Sequence, residues 1–224
     1  MLGLALDVPE GRPLRLLALG CHSDDIEIGA GGTILTLLAA RPVEVCWVVL
    51  SAPGDRAAEA AGSAEAFLDG AAGSRVVLGE FRDSYFPYVG GEVKTFVEEV
   101  RDGFSPDLIL THQPADMHQD HRLVWELTWN AFRDHAILEY EIPKWDGDLG
   151  APGVFVPLDD DVVRRKVELL MAHFSSQRSK SWFTEDVFLG LMRLRGMECR
   201  APSGHAEAFY SRKLTLALHA TGAK

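Results

Sequence analysis

The sequence predicts an α/β three-layer sandwich built on a mainly parallel sheet, and three observations carry that expectation. Short apolar runs rich in β-branched residues alternate along the chain with stretches of helical periodicity. Two of the runs, Leu14–Leu19 and Val43–Leu50, are apolar except for Arg15 and Glu44, as expected of strands covered on both faces. No internal repeat, low-complexity tract or linker breaks the alternation, so a single domain over residues 1–224 is expected.

Taken in order, residues 1–13 read as a lead-in or edge element, and Leu14–Leu19 as the first strand. An apolar-rich helix is expected over Thr33–Ala40, ending before Pro42 because proline cannot continue it. Val43–Leu50 is the second strand. Arg56–Leu68 is Ala-rich and favours helix. Arg75–Leu78 is a short third strand, and 81–91 is a loop rich in aromatic residues. Glu92–Phe104 puts Val93, Phe96, Val97 and Val100 on one helical face. Asp107–Thr111 is the fourth strand, followed by a loop to Asp116 and a helix over His118–Arg133, with Leu123, Leu127 and Ala131 expected to face inward and Trp125 and Trp129 as further candidates. Ala136–Ile142 alternates apolar and acidic residues, the pattern of a half-exposed strand. A polar loop at 143–153 leads to a strand at Val154–Leu158. Helices over Asp160–Phe174 and Thr184–Arg195 follow, and a last strand is expected within Ala206–Leu218.

Composition narrows the function. Hydrophobic residues make up 47% and charged residues 25%, as in ordinary globular proteins. A net charge of −11 and a pI near 5.1 argue against a nucleic-acid partner. Cys21, Cys46 and Cys199 form no CxxC and are odd in number, so no disulfide framework is expected. Met1–Pro13 has neither a charged n-region nor a cleavable apolar core, so no signal peptide is expected, and no apolar run reaches the roughly 18–20 residues of a bilayer span. A cytoplasmic protein without a membrane anchor is the expectation.

Two short clusters carry the chemistry. His22-Ser23-Asp24-Asp25 stands at the end of the first strand and precedes Gly29-Ala30-Gly31-Gly32-Thr33. Asp116-Met117-His118-Gln119-Asp120-His121 follows the fourth strand. Parallel topology puts both at the carboxyl edge of one sheet. A hydrolytic zinc takes three nitrogen or oxygen ligands and keeps one open position. His22, Asp25 and His121 supply such a set, although iron, cobalt or manganese would also accept it. Asp24, beside a ligand, is placed to take a proton from water activated by the metal. His118 shares a helical face with His121 and could stabilise an oxyanion, with Asp120 holding its ring. His112 ends the fourth strand beside the site, where it meets either substrate or a backbone group. The glycines lack G-x-G-x-x-G spacing and are expected to permit close helix packing instead of dinucleotide binding.

The pairing of His22-Ser23-Asp24-Asp25 and Gly29-x-Gly31-Gly32-Thr33 with His118-Gln119-Asp120-His121 resembles the PIG-L/LmbE-like family of metal-dependent N-deacetylases, whose motifs read HPDD, GxGGT and HxDH. The resemblance implies a Rossmann-like fold, zinc on His22, Asp25 and His121, and Asp24 as base. It also implies that His118 acts at the oxyanion with Asp120 behind it. The implied partner is a small N-acetylglucosamine-type amino-sugar conjugate, with Arg56 and Asp83 reaching a hydroxyl or an anionic substituent. Related proteins are often oligomers, so a homo-oligomer is compatible. Ser23 replaces the usual proline, and Ile26 stands where many members carry an acid. Two alternatives remain beside this reading: a metal-dependent amidase acting on a thiol or natural-product conjugate, and a non-catalytic sugar- or nucleotide-binding protein of the same fold.

Overall fold

A computed structural model describes residues 3–6, 8 and 11–215. Strands β1 (Leu14–His22), β2 (Val43–Ser51), β3 (Gly73–Leu78), β4 (Leu108–His112), β5 (Ala136–Tyr140), β6 (Val154–Pro157) and β7 (Ala206–Tyr210) form one seven-stranded sheet in the order β3-β2-β1-β4-β5-β7-β6. The first five of these in space run parallel. Only β7 is reversed against both neighbours, β5 and β6.

Successive side chains of β1 point to opposite faces, so the strand divides the core. Leu14, Leu16 and Ala18 pack with α1 (Asp25–Ala40), α2 (Asp55–Phe67), α5 (Asp160–His173) and α6 (Glu185–Cys199). Leu17, Leu19 and Cys21 pack with α3 (Gly90–Gly103) and α4 (Gln119–Ala131). This is the expected three-layer α/β sandwich with a mainly parallel sheet. β1 has β2 on one side and β4 on the other, so connections leave in opposite directions between β1 and β4. That switch point is where open α/β sheets form a crevice at the strands' carboxyl ends.

Several elements differ from expectation for identifiable reasons. The first helix begins at Asp25, not Thr33, and takes in the whole glycine run. Those glycines admit close neighbours: a Cβ on Gly29 would sit 2.2 Å from Tyr140, and one on Gly31 would sit 2.7 Å from Phe67. The intrinsic helix penalty of glycine is outweighed by burial of this helix against the sheet and α2. β5 is not half-exposed. Glu139 and the following Glu141 are buried because each has partners. Glu139 accepts the indole N–H groups of Trp125 and Trp129, and Glu141 pairs with Arg195. In α4 the buried residues are Asp120, His121, Val124, Thr128 and Trp129, so of the expected inward residues Trp129 is buried while Leu123, Trp125, Leu127 and Ala131 are only half-buried. The loop at 81–91 contains a 3-10 turn over Phe86–Val89. α6 runs on to Cys199 and ends at Arg200, which is left-handed at φ 57°. The last strand stops at Tyr210, and positions 216–218 of the expected element lie outside the described residues.

Candidate metal centre

His22 is the last residue of β1, and Asp25 is the first of α1, so the turn between them is only two residues long. The His22 backbone N–H donates to Asp25 Oδ2 at 2.7 Å, which fixes that carboxylate at the strand end. His121 sits in the first turn of α4 and comes from the far side of the switch point. Three atoms then converge. His22 Nδ1 is 3.1 Å from His121 Nε2, and Asp25 Oδ2 is 3.4 Å from each of them. A tetrahedral ion with bonds of 2.0–2.1 Å separates its ligand atoms by about 3.3–3.4 Å. The three atoms therefore fit one face of a zinc-sized coordination shell, and each belongs to a buried residue.

The candidate ligands are held from behind. His121 Nδ1 is 2.9 Å from Asp116 Oδ2, an arrangement that leaves Nε2 as the free lone pair. Asp116 is in turn bound by Lys144, at 3.0 Å, and accepts the His118 backbone N–H at 2.8 Å. Lys144 also grips Asp148, whose carboxylate receives the Met117 N–H. Burial drives the His121 imidazole down, and with the neighbouring His112 it brings the pKa to about 3. Burial works on Asp25 in the opposite direction, but His121, His112 and His22 together hold its carboxyl well below the usual range. Burial also lowers His22, yet the carboxylates of Asp25, Asp120 and Asp83 lift it well above an ordinary histidine.

Asp24 occupies the N-cap position of α1 with φ −115° and ψ −5°, in the sparsely populated bridge region. Its carboxylate makes no capping bond. Oδ1 lies 3.1 Å from Arg56 Nη2, and Oδ2 is buried with no hydrogen-bond partner among the described residues. Burial and the adjacent Asp25 raise its pKa against the pull of Arg56. A carboxylate with one oxygen anchored and the other free is what a general base needs.

His118 caps α4: its Nδ1 accepts the Asp120 N–H at 3.3 Å. That leaves Nε2 to carry the hydrogen, and the ring, edge-on to His22 at 4.8 Å between centroids, is a donor. Burial and the charge of His22 lower its pKa.

The structure corrects one expected role and decides between the two alternatives for another. The Asp120 carboxylate does not hold the His118 ring. Its oxygens accept the N–H groups of Ser84 and Phe86, at 2.7 and 3.1 Å, and so pin the aromatic loop to α4. His112 takes the backbone alternative. It is wholly buried, accepts the Cys21 N–H at Nε2 (3.1 Å) and stacks on His121 with centroids 3.9 Å apart. Asp83 faces His22, with Oδ1 3.0 Å from Nε2, and Arg56 lies beside the Asp24 carboxylate. Asp116 and Lys144 were not foreseen as ligand supports. The signal available in the sequence was a carboxylate in the loop just ahead of the helix that carries His121.

A family model described as "PIG-L: GlcNAc-PI de-N-acetylase" matches residues 17–132, a span that contains both clusters and all of the converging atoms. The chain belongs to the PIG-L family. Solved structures share its architecture at low identity. N,N'-diacetylchitobiose deacetylase from Pyrococcus horikoshii superposes with a TM-score of 0.70 at 20% identity, covering 88% of this chain and 83% of that one. A40926 pseudoaglycone deacetylase Dbv21 gives 0.68 at 17%, covering 89% and 97%. GalB, a 4-carboxy-2-hydroxymuconate hydratase from Pseudomonas putida, gives 0.73 at 17%, covering 93% and 100%. A hydratase among them shows that the PIG-L-like fold alone does not select the reaction. No curated relative matches the chain by sequence.

Proposed function

We propose that the protein is a zinc-dependent N-deacetylase acting on a small N-acetylglucosamine-type conjugate, with His22, Asp25 and His121 as the metal ligands. One observation carries the reading: the triangle of 3.1, 3.4 and 3.4 Å among donor atoms from two chain segments about a hundred residues apart. When bound, such a cation polarises the acetamide carbonyl and lowers the pKa of water brought to it.

The chain's own residues do the rest. Asp24 accepts the proton of the attacking water at Oδ2, while Arg56 fixes the other oxygen. The same proton passes to the amide nitrogen as the C–N bond breaks, giving acetate and a free amine. His118 offers its Nε2–H where negative charge develops on the carbonyl oxygen. Asp120 acts one step back, by holding the loop at Ser84–Phe86 against α4. Arg56 and the half-exposed Asp83 are the residues we assign to substrate, through an anionic substituent and a sugar hydroxyl. Three free cysteines suit a reducing compartment, so a cytoplasmic location belongs to this reading. No helix among the described residues is long and apolar enough to cross a membrane, in keeping with a conjugate that carries no lipid.

The test is acetate release from a panel of N-acetyl sugar conjugates, with a thiol-linked amide and a natural-product glycoside included. Release from an N-acetylglucosamine conjugate, lost with chelator and restored by zinc, is the expected result. Preference for the thiol-linked amide would move the substrate class while keeping the chemistry. No acetate from any member by the zinc-loaded protein would refute the deacetylase reading, and activity indifferent to chelator would refute the metal.

A further inference from the structure

We propose that Lys180, Trp182 and Trp145 form a subsite at the rim of the metal centre for the group attached to the sugar, and that the favoured conjugate carries there a flat apolar group bearing a carboxylate. The proposal rests on the deacetylase reading and narrows its substrate class.

Two loops meet at this rim. The loop at 143–153 is tied down beside the centre, because Lys144 holds Asp116, the support of His121, at 3.0 Å and Asp148 at 2.6 Å. Trp145 follows Lys144 directly, yet it is 70% exposed. The second loop joins α5 to α6. Ser175 and Ser176 fasten its start to Glu59, which lies on α2 one helical turn after Arg56. Lys180 and Trp182 come after that anchor. Lys180 Nζ stands 5.2 Å from the centre of the Trp182 ring, and Trp182 meets Trp145 at 84° with centroids 6.2 Å apart. The charge of Lys180 reaches Asp24, as does that of Arg56. The three side chains therefore form an arc that starts on the Asp24 side of the centre and ends on the His121 side.

What the arc leaves unspent points to its ligand. Lys144 is neutralised by Asp116 and Asp148, whereas Lys180 makes no ion pair among the described residues and is half-buried against an indole. An unpaired cation at the edge of a cleft with apolar walls attracts an anion, and on a chain of net charge −11 it does so against the general field. Trp145, touched by Trp182 on one side, has ring surface free for a planar apolar group to stack on. The acetamide goes to the buried centre, so the group attached to the sugar lies towards the rim. The arc takes no part in breaking the amide; it selects which conjugate is held.

Acetate release from the methyl, phenyl and para-carboxyphenyl N-acetylglucosaminides by the zinc-loaded protein tests this. In wild type kcat/KM should rise in that order, by at least about tenfold overall, and the gain from the carboxylate should shrink at about 0.5 M salt. Lys180→Met should remove the advantage of carboxyphenyl over phenyl, and Lys180→Glu should reverse it. Trp145→Ala should remove the advantage of phenyl over methyl, mainly through KM. Lys94→Met, at an exposed position on α3, should keep the whole order. Equal kcat/KM for the three conjugates in wild type would overturn the proposal and leave the deacetylase reading standing. So would a preference that survives in all three rim variants. No acetate from any conjugate would count against the deacetylase reading instead, and calorimetric affinities for the same compounds then decide the subsite. The same order in Kd, lost in the rim variants, would uphold it; equal affinities or no binding would overturn it.

Discussion

Two buried polar clusters in this molecule look alike in composition and differ in what they leave unsatisfied. At the carboxyl edge of β1 and β4, His22 Nε2, Asp24 Oδ2 and His112 Nδ1 are buried without hydrogen-bond partners among the described residues. Behind α1, Lys166 and Glu207 are equally buried, but that pair is closed. Lys166 Nζ donates to Glu207 Oε1 and to the Ile28 carbonyl, and the two Glu207 oxygens accept the Gly32 and Thr33 N–H groups. Arg195 is similarly saturated by Glu141, Glu198 and the Gly150 carbonyl. Unspent donors and acceptors in a dry site must be met by something from outside, because leaving them bare costs about 1–3 kcal/mol each. A closed set has no such need. The first cluster is therefore read as machinery, and the second as a clamp that joins α5 and β7 to the middle of α1.

The largest effect that could break this contrast lies at Asp24. Asp24→Asn keeps the shape and removes the proton acceptor, so kcat should fall by about 10²–10⁴-fold while zinc content and melting temperature stay near wild type. A variant with near-normal turnover would place Asp24 with the structural carboxylates.

The clamp should answer in the opposite currency. Lys166→Met leaves the Glu207 carboxylate buried without its cation, and stability in urea should drop by about 3–5 kcal/mol. Turnover per folded molecule should be unchanged. A Lys166→Met/Glu207→Gln double variant should recover part of the loss, since a glutamine carbonyl still accepts one of the two α1 N–H groups and no charge is left buried. Full stability in the single variant would mean that the pair contributes nothing, and lost turnover in folded protein would tie the clamp to the site.

The same contrast explains what was legible in the sequence. The parallel strands were readable because strands covered on both faces write their burial as continuous apolar runs. The converging triangle was readable because its residues are functional types at strand and helix ends, where topology alone brings them to one edge. The clamp was not readable. Lys166 lies in a helix with a polar-looking pattern, and its partner Glu207 is 41 residues away. Only the packed structure shows that both are inside. Asp120 reads as a support of the His118 ring because residue type and neighbourhood are right, while for His112 the sequence leaves substrate and a backbone group equally open. The backbone N–H groups of Ser84 and Phe86 take up Asp120 and that of Cys21 takes up His112, a competition that a sequence does not display. β5 misled for the same reason: alternation of acidic and apolar residues implies a wet face only when the acids lack buried partners.

Glu139 sharpens the comparison with the smallest expected effect. It is a third kind of buried carboxylate, closed by neutral donors instead of a cation, since the indole N–H groups of Trp125 and Trp129 both reach Oε1. Burial raises its pKa above the ordinary glutamate value, and the two indoles with Arg212 offset only part of that. A carboxyl whose folded pKa is raised favours the fold in its protonated form. Its contribution is fully present below the unfolded value of about 4.3 and is lost as pH climbs through the folded pKa. Glu139→Gln keeps an acceptor for both indoles and cannot ionise. The stability difference between the variant and wild type should therefore shift in the variant's favour as pH rises from 4 towards neutrality, then level off. Turnover should not follow it, because Glu139 lies outside the converging triangle. A difference that is flat with pH would mean the indoles neutralise the burial penalty completely, and this carboxylate would then be as fully closed as Glu207.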